Sequence, residues 1–101
     1  MENSIPESWK KVLTSEFSRD YWKDLSSFIE DEYANNVCFP VKASIFRALE
    51  ITPFDSVRVV ILGQDPYHTE GAAMGMCFSI PDGIKSQPSL KNIFKELETD
   101  I

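Results

Sequence analysis

Residues 57–68 read Val57-Arg58-Val59-Val60-Ile61-Leu62-Gly63-Gln64-Asp65-Pro66-Tyr67-His68. The first six are apolar except for Arg58, rich in β-branched side chains and too few for a typical helix, so they predict a buried strand. A nearly continuous apolar strand is buried on both faces, which is typical of a parallel sheet covered by helices. We therefore predict an α/β fold in which helices surround a short, mainly parallel sheet.

The residues after this strand carry the side chains best suited to chemistry. Ligands of open α/β sheets bind beyond the carboxyl ends of the strands, where residues 63–68 would lie. Gly63 permits a sharp turn, while Pro66 fixes its own φ angle and biases Asp65 toward an extended conformation. A carboxylate held stiffly at the mouth of a sheet is a candidate catalytic group, although aspartate is also common in ordinary turns.

The segment Gly63-Gln64-Asp65-Pro66-Tyr67-His68, placed after an apolar strand, resembles the water-activating loop of the uracil-DNA glycosylases, the family that removes uracil from DNA. The resemblance continues through Gly-Met-Cys-Phe-Ser at 75–79 and Pro-Ser-Leu-Lys-Asn-Ile at 88–93, and extends more loosely back to Trp9. It matches the N-terminal portion of a family member. It implies a three-layer α/β/α fold in the complete family, with residues 1–101 forming the N-terminal part of one domain.

The resemblance also implies roles for individual residues. Asp65 would activate water and face the positive charge that develops on the sugar as the base departs. Gln64 would bind the edge of the uracil, and the ring of Tyr67 would exclude thymine by clashing with its methyl group. His68 would support Asp65 or reach a phosphate, and Phe78 would stack on the flipped base. From the residues alone, a solvated loop amide, a partly buried loop tyrosine, a structural histidine and a core phenylalanine are the ordinary alternatives.

A second candidate contact with DNA lies at Pro88 and Ser89, where the last helix is predicted to begin. A serine at a helix N-cap places its hydroxyl and free backbone N–H groups at the electropositive end of the helix, which can hold a phosphate. The resemblance implies that this segment pinches the DNA backbone and so helps to eject the base from the stack. An ordinary helix cap would have the same sequence.

The charge of the chain limits how it could bind DNA. Sixteen acidic and ten basic residues give a net charge of −6, which has the wrong sign for holding phosphates by bulk attraction. Contact with DNA must therefore come from local geometry such as helix N-termini and backbone donors. The length of 101 residues suits one small domain.

Cysteine usage and hydropathy favour a cytoplasmic protein. Cys38 and Cys77 lie in apolar surroundings, so we expect buried free thiols rather than a disulfide or a metal site. No apolar segment follows a basic N-terminal region, and no run is long enough to span a membrane. The resemblance implies uracil-containing DNA as the partner, no metal or organic cofactor, a protein inhibitor that mimics DNA as a further partner, and a monomer when the protein is complete.

The apolar periodicity predicts four helices and one further extended piece. The first covers residues 6–17, a second begins after a capping Ser18 with Trp22, Leu25, Phe28, Ile29 and Tyr33 on one face, and a third covers residues 41–50. The aromatic face of the second helix suits core packing better than base stacking. Residues 76–80 read as extended and residues 81–83 as a turn. The last helix begins at Ser89 and has inward residues at Leu90, Ile93, Phe94, Leu97 and Ile101.

The end of the sequence and its departures from the family lower the expected activity. The last helix has no stop signal, and a lone strand leaves two unpaired edges, so we expect a chain that is cut after Ile101. The family's base-reading asparagine, its later histidine and its apolar wedge are not among these residues. The loop at 85–88 has fewer prolines than usual, and Glu70 adds negative charge to a DNA-facing loop. We therefore expect the isolated chain to be inactive or nearly so.

Two other functions remain open from the sequence. One is a non-catalytic remnant that binds DNA or a protein. The other is a metal-dependent nucleotide hydrolase that uses Asp65, His68 and Glu70, although these residues lack a recognised ligand spacing. Unchanged activity in the presence of a chelator would eliminate the hydrolase.

Overall fold

A computed structural model of the protein describes residues 1–100. Within that range the chain forms four α-helices, which are α1 (Glu7–Phe17), α2 (Asp20–Asn35), α3 (Arg47–Ile51) and α4 (Pro88–Asp100). Three short 3-10 helices cover Glu2–Ser4, Lys42–Ser44 and Phe54–Ser56. None of the helices in residues 1–100 is long and apolar enough to cross a membrane.

The first two helices lie close to their predicted positions, but the predicted cap between them is wrong. Helix α1 begins directly after Pro6, whereas α2 is preceded by Arg19 and not by Ser18. Ser18 instead follows the end of α1, where its hydroxyl donates a hydrogen bond to the Ser15 carbonyl at 3.1 Å. The serine side chain is thus used by the helix before it, because a hydroxyl can bond a carbonyl one turn earlier in the chain.

The third predicted helix is interrupted, so a continuous helix over residues 41–50 is wrong. The 3-10 helix at Lys42–Ser44 and helix α3 are separated by Ile45 and Phe46, and the φ of −105° and ψ of 23° at Phe46 are not helical. Gly75 packs against the Ser44 carbonyl at this interruption, since a Cβ on Gly75 would lie 2.0 Å from that oxygen. Helix α3 ends at Ile51, as expected from the proline at position 53.

The apolar run at 57–62 is extended chain without a strand partner in residues 1–100. The Val57 N–H donates to the Phe54 carbonyl at 3.3 Å, and no backbone hydrogen bond within residues 1–100 involves residues 58–62. The side chains of residues 59–62 are exposed. A strand is recognised by its hydrogen bonds to a neighbouring strand, and this run has no such neighbour within residues 1–100. The α/β fold therefore stays a prediction. The burial that we expected for this run is not observed within residues 1–100.

The packed parts of the molecule are small. The buried residues within residues 1–100 are Ile5, Pro40 and Ala72. The indole of Trp9 meets Phe54 edge to face at 5.2 Å and donates a hydrogen bond to the Thr52 carbonyl at 2.8 Å. These contacts fix α1 against the segment that follows α3, at the level where the 57–62 run begins.

Several expected core positions are not buried within residues 1–100. Phe28 on α2 and Phe94 on α4 are exposed, so the predicted inward faces of these helices are partly open. Of the two cysteines, Cys38 is half-buried and Cys77 is exposed, both as free thiols. The expectation that both thiols are buried is therefore wrong for the described chain.

The segment between the run at 57–62 and α4 contains three hydrogen-bonded turns, the first of which is closed by the Ala72 N–H donating to the Thr69 carbonyl at 3.0 Å. Residues 76–79 form the second, in which the Ser79 N–H donates to the Met76 carbonyl at 3.2 Å, so the extended piece predicted at 76–80 is wrong. The predicted turn at 81–83 is confirmed, since the Ile84 N–H donates to the Pro81 carbonyl at 3.3 Å. Its third residue, Gly83, has a φ of +84° that few other residues adopt.

Candidate functional site

An open cavity of about 1080 Å³ lies between the C-terminal half of α2 and the loops that follow the 57–62 run. Its walls come from four parts of the chain that are distant in sequence. All of the predicted site residues line it, namely Gln64, Asp65, Tyr67, His68, Phe78, Pro88 and Ser89. The fold therefore brings the predicted site residues to one cavity, whereas the sequence related them to one another only through the resemblance. The role of each residue stays a prediction.

The loop at 63–68 reaches the cavity through a close approach at Gly63. A Cβ placed on Gly63 would lie 3.2 Å from the Sγ atom of Cys77, which is tighter than an ordinary van der Waals contact. Glycine therefore lets this loop lie directly against the turn at 76–79. Asp65 and His68 are exposed on this loop, so solvent or a ligand can reach both side chains.

Tyr67 and Phe78 are joined by a hydrogen bond across the cavity wall. The Tyr67 hydroxyl donates to the Phe78 carbonyl at 2.8 Å. Phe78 has a φ of +63°, a left-handed conformation that is strained for a residue with a side chain and often occurs at functional sites. Burial, and then the nearby Cys77, raise the pKa of Tyr67 above its usual 10.0, which keeps the hydroxyl protonated as a donor. The tyrosine thereby holds the backbone that carries the phenylalanine ring.

The opposite wall is formed by α2 and the chain that follows it. Phe28, Ile29 and Tyr33 of α2 line the cavity together with Phe39. The Tyr33 hydroxyl donates to the Pro40 carbonyl at 2.6 Å, and burial is the main cause that raises the pKa of Tyr33. The sequence predicted this aromatic face as core packing, because helical periodicity does not distinguish a buried face from a cavity wall.

Helix α4 begins at the rim of the cavity, one residue earlier than predicted. Pro88 is its first residue, so Ser89 lies within the first turn and its prediction as the N-cap is wrong. Proline suits the first helical position because it has no N–H that would need a partner. The Lys91 N–H donates to the Gln87 carbonyl at 3.0 Å, and the Thr69 hydroxyl donates to the Gln87 side chain at 3.4 Å. The bond from Thr69 ties the start of α4 to the chain just after His68.

The metal-dependent alternative lacks support in the geometry. Within residues 1–100, no group of three His, Cys, Asp or Glu side chains is arranged to hold a metal ion. Asp65, His68 and Glu70 therefore do not converge as ligands, although they lie close in sequence. The cavity is lined by two carboxylates, two side-chain amides and several aromatic rings, the first four groups belonging to Glu32, Asp65, Gln64 and Gln87.

Comparison with known proteins agrees with this class of site. The chain is 54% identical over 97 residues to the uracil-DNA glycosylase of Chlamydia trachomatis serovar D, a match that covers 96% of this chain and 42% of the relative. It is 48% identical to uracil-DNA glycosylase 2 of Streptomyces coelicolor, over 96% of this chain and 43% of the relative. It is 50% identical to the uracil-DNA glycosylase of Flavobacterium johnsoniae, over 100% of this chain and 46% of the relative.

These matches show which proteins the chain is similar to in sequence. No protein-family model matches the chain. Over nearly its whole length, however, it is homologous to the N-terminal part of proteins named uracil-DNA glycosylase. The chain spans less than half the length of these curated relatives.

Proposed function

We propose that this chain supplies the water-activating side of a uracil-DNA glycosylase, an enzyme of DNA repair that hydrolyses the N-glycosidic bond of deoxyuridine in DNA. The observation that carries the proposal is that one cavity is lined by every residue of the 63–68 loop together with Phe78 and Ser89. The identity of about half of all residues to proteins of that name supports the same activity.

In the proposed reaction, the base leaves the stack and enters the cavity before the bond breaks. The exposed Asp65 carboxylate orients a water molecule and accepts its proton as the water oxygen bonds to the sugar carbon. The electron pair of the breaking C–N bond leaves with the uracil. The same carboxylate stabilises the positive charge that develops on the sugar in the transition state.

Recognition of the base is proposed to rest on the two aromatic residues. Phe78 stacks on the flipped ring, and a stacked base is worth about 1–3 kcal/mol. Tyr67, held by its bond to the Phe78 carbonyl, occupies the space that a thymine methyl would need. Gln64 binds the polar edge of the ring, while His68, Pro88 and Ser89 lie toward the DNA backbone.

The isolated chain is proposed to be inactive or nearly so. Each missing group that stabilises the transition state costs about 100- to 1000-fold in rate, and the asparagine and second histidine implied by the resemblance are not among these 101 residues. We also propose a cytoplasmic protein that works as a monomer when complete, and that a protein inhibitor mimicking DNA would bind the same cavity.

A hybrid protein tests this function. The first 97 matched residues of the Chlamydia trachomatis relative would be replaced by the corresponding part of this chain, and release of uracil from a single-stranded oligonucleotide would be measured with a thymine oligonucleotide as control. We expect the hybrid to release uracil and not thymine, while the 101-residue chain alone releases neither. A folded hybrid without uracil release would contradict the proposal.

A further inference from the structure

Gln87, at the point where the chain enters α4, is bonded to three separate parts of the chain. Its backbone carbonyl accepts a hydrogen bond from the Lys91 N–H at 3.0 Å, within the first turn of the helix. Its side-chain amide donates to the Lys85 carbonyl at 3.0 Å, and its side-chain oxygen accepts from the Thr69 hydroxyl at 3.4 Å. One residue therefore joins the helix, the loop before it and the chain that follows His68.

The bond between Thr69 and Gln87 links two segments that are 18 positions apart in sequence. Gln87 is half-buried and lines the cavity, as do His68 from the first segment and Ser89 from the second. Within residues 1–100, no other hydrogen bond joins the loop at 63–69 to α4 or to the residues just before it. The Gln87 amide is therefore the polar link that holds the start of α4 beside this loop.

We propose that Gln87 is a positioning residue for DNA binding, which holds the start of α4 against the loop that carries Asp65 and His68. The inference rests on the proposed function, in which His68 and Ser89 both lie toward the DNA backbone. The link fixes the distance between these two side chains, so that one DNA strand can meet both at once. A preorganised pair of contacts binds more tightly than two contacts that must be ordered first.

Gln87 acts on binding rather than on the chemical step, because Asp65 keeps its loop and its access to solvent when the amide is removed. A hydrogen bond of this kind changes an equilibrium constant by about 3- to 10-fold. The bond has two ends, so removal of the Thr69 hydroxyl should weaken DNA binding as well. A glutamine that contacted DNA directly would not depend on Thr69, and this difference separates the two roles.

The hybrid with the Chlamydia trachomatis relative carries the test, as Gln87→Ala, as Thr69→Val and as the double variant. Valine keeps the shape of threonine and removes only the hydroxyl. Binding to a labelled duplex with a stable abasic analogue is measured by fluorescence anisotropy, and KM and kcat are measured on a duplex with one deoxyuridine. The controls are Asn35→Ala and Thr14→Val, whose exposed side chains each bond a backbone carbonyl at 2.9 Å and do not line the cavity.

We expect Gln87→Ala and Thr69→Val each to raise Kd and KM by about 3- to 10-fold with kcat unchanged, since only binding is altered. The double variant should bind no more weakly than Gln87→Ala, and both controls should match the unmodified hybrid.

Unchanged binding in Gln87→Ala, a loss in Gln87→Ala that Thr69→Val does not share, or a fall in kcat without a rise in KM would overturn the inference. The expected losses of binding in a hybrid that releases no uracil would refute the proposed function and leave the inference intact. An unmodified hybrid that does not bind the duplex would refute both.

Discussion

Replacing Gly75 by alanine forces a side chain into a place where the structure has none. Gly75 has a φ of +85°, and a Cβ on it would lie 2.0 Å from the Ser44 carbonyl oxygen and 2.9 Å from the Cβ of Arg47. The nearest obstacle is a backbone atom, which cannot rotate away as the end of a long side chain can. The turn that carries Phe78 would therefore have to move off the Lys42–Ser44 helix.

The chain offers a control that separates the two costs of this substitution. Gly83 has nearly the same φ, +84°, but a Cβ there meets nothing within 4 Å. The left-handed backbone alone costs a residue with a side chain about 1–2 kcal/mol, which is the loss expected for Gly83→Ala. Overpacking costs about 1–3 kcal/mol more, so Gly75→Ala should lose about 2–5 kcal/mol of unfolding free energy.

Urea titration followed by the fluorescence of Trp9 and Trp22 measures both variants. We expect the midpoint to fall for Gly83→Ala and to fall further, or the folded baseline to disappear, for Gly75→Ala. Equal losses at the two positions would show that the contact between Gly75 and Ser44 is not tight, and the reasoning about this turn would fail.

Two further predictions concern hydrogen bonds at ionisable groups. Tyr67→Phe removes the bond to the Phe78 carbonyl and should cost about 1 kcal/mol in a urea titration. Because the pKa of Tyr67 is raised in the folded chain, the stability it contributes is complete below pH 10.0 and is lost as the pH rises above that value; an alkaline decline just as steep in Tyr67→Phe would refute this. The Lys42 ammonium group donates a hydrogen bond to the Glu30 carboxylate, and this bond lowers the pKa of Glu30 below 4.5. The stability that the pair contributes is therefore present above pH 4.5 and is lost on acidification. Glu30→Gln should flatten the acid limb of a thermal-unfolding profile, and an unchanged acid limb would contradict the assignment.

Local signals in the sequence predicted most of the helix positions. Apolar periodicity located both ends of α1 and the beginnings of α2 and α4 to within about two residues. Pro53 correctly predicted the end of α3. The turn at 81–83 followed from its proline, aspartate and glycine, which need no tertiary partner to favour a turn.

Features that depend on distant contacts were not predictable in this way. The break at Phe46 lies where Gly75, far along the chain, packs against Ser44. The left-handed Phe78 carries no glycine or asparagine signal, and its carbonyl is held by Tyr67 from another loop. The predicted strand at 57–62 needs a neighbouring strand, which residues 1–100 do not contain.

The candidate site was predictable only because short motifs resemble a family. Composition and periodicity singled out Asp65 as a stiff loop carboxylate, but they gave no reason to group it with Phe78 or Ser89. The structure places all three on one cavity. Phe28 on the opposite wall was assigned to the core, because a periodic apolar face looks the same in sequence whether it meets protein or an open cavity.

The rate of uracil release by the hybrid protein after Asp65→Asn tests the central claim most directly. Asn keeps the shape of the side chain but cannot accept the proton of the attacking water. Asp82→Asn is the matched control, since Asp82 lies in the turn at 81–83 and does not line the cavity. We predict that Asp65→Asn lowers the single-turnover rate by about 100- to 10,000-fold, while Asp82→Asn keeps the original rate. Uracil release by the folded Asp65→Asn protein at the original rate would contradict the account.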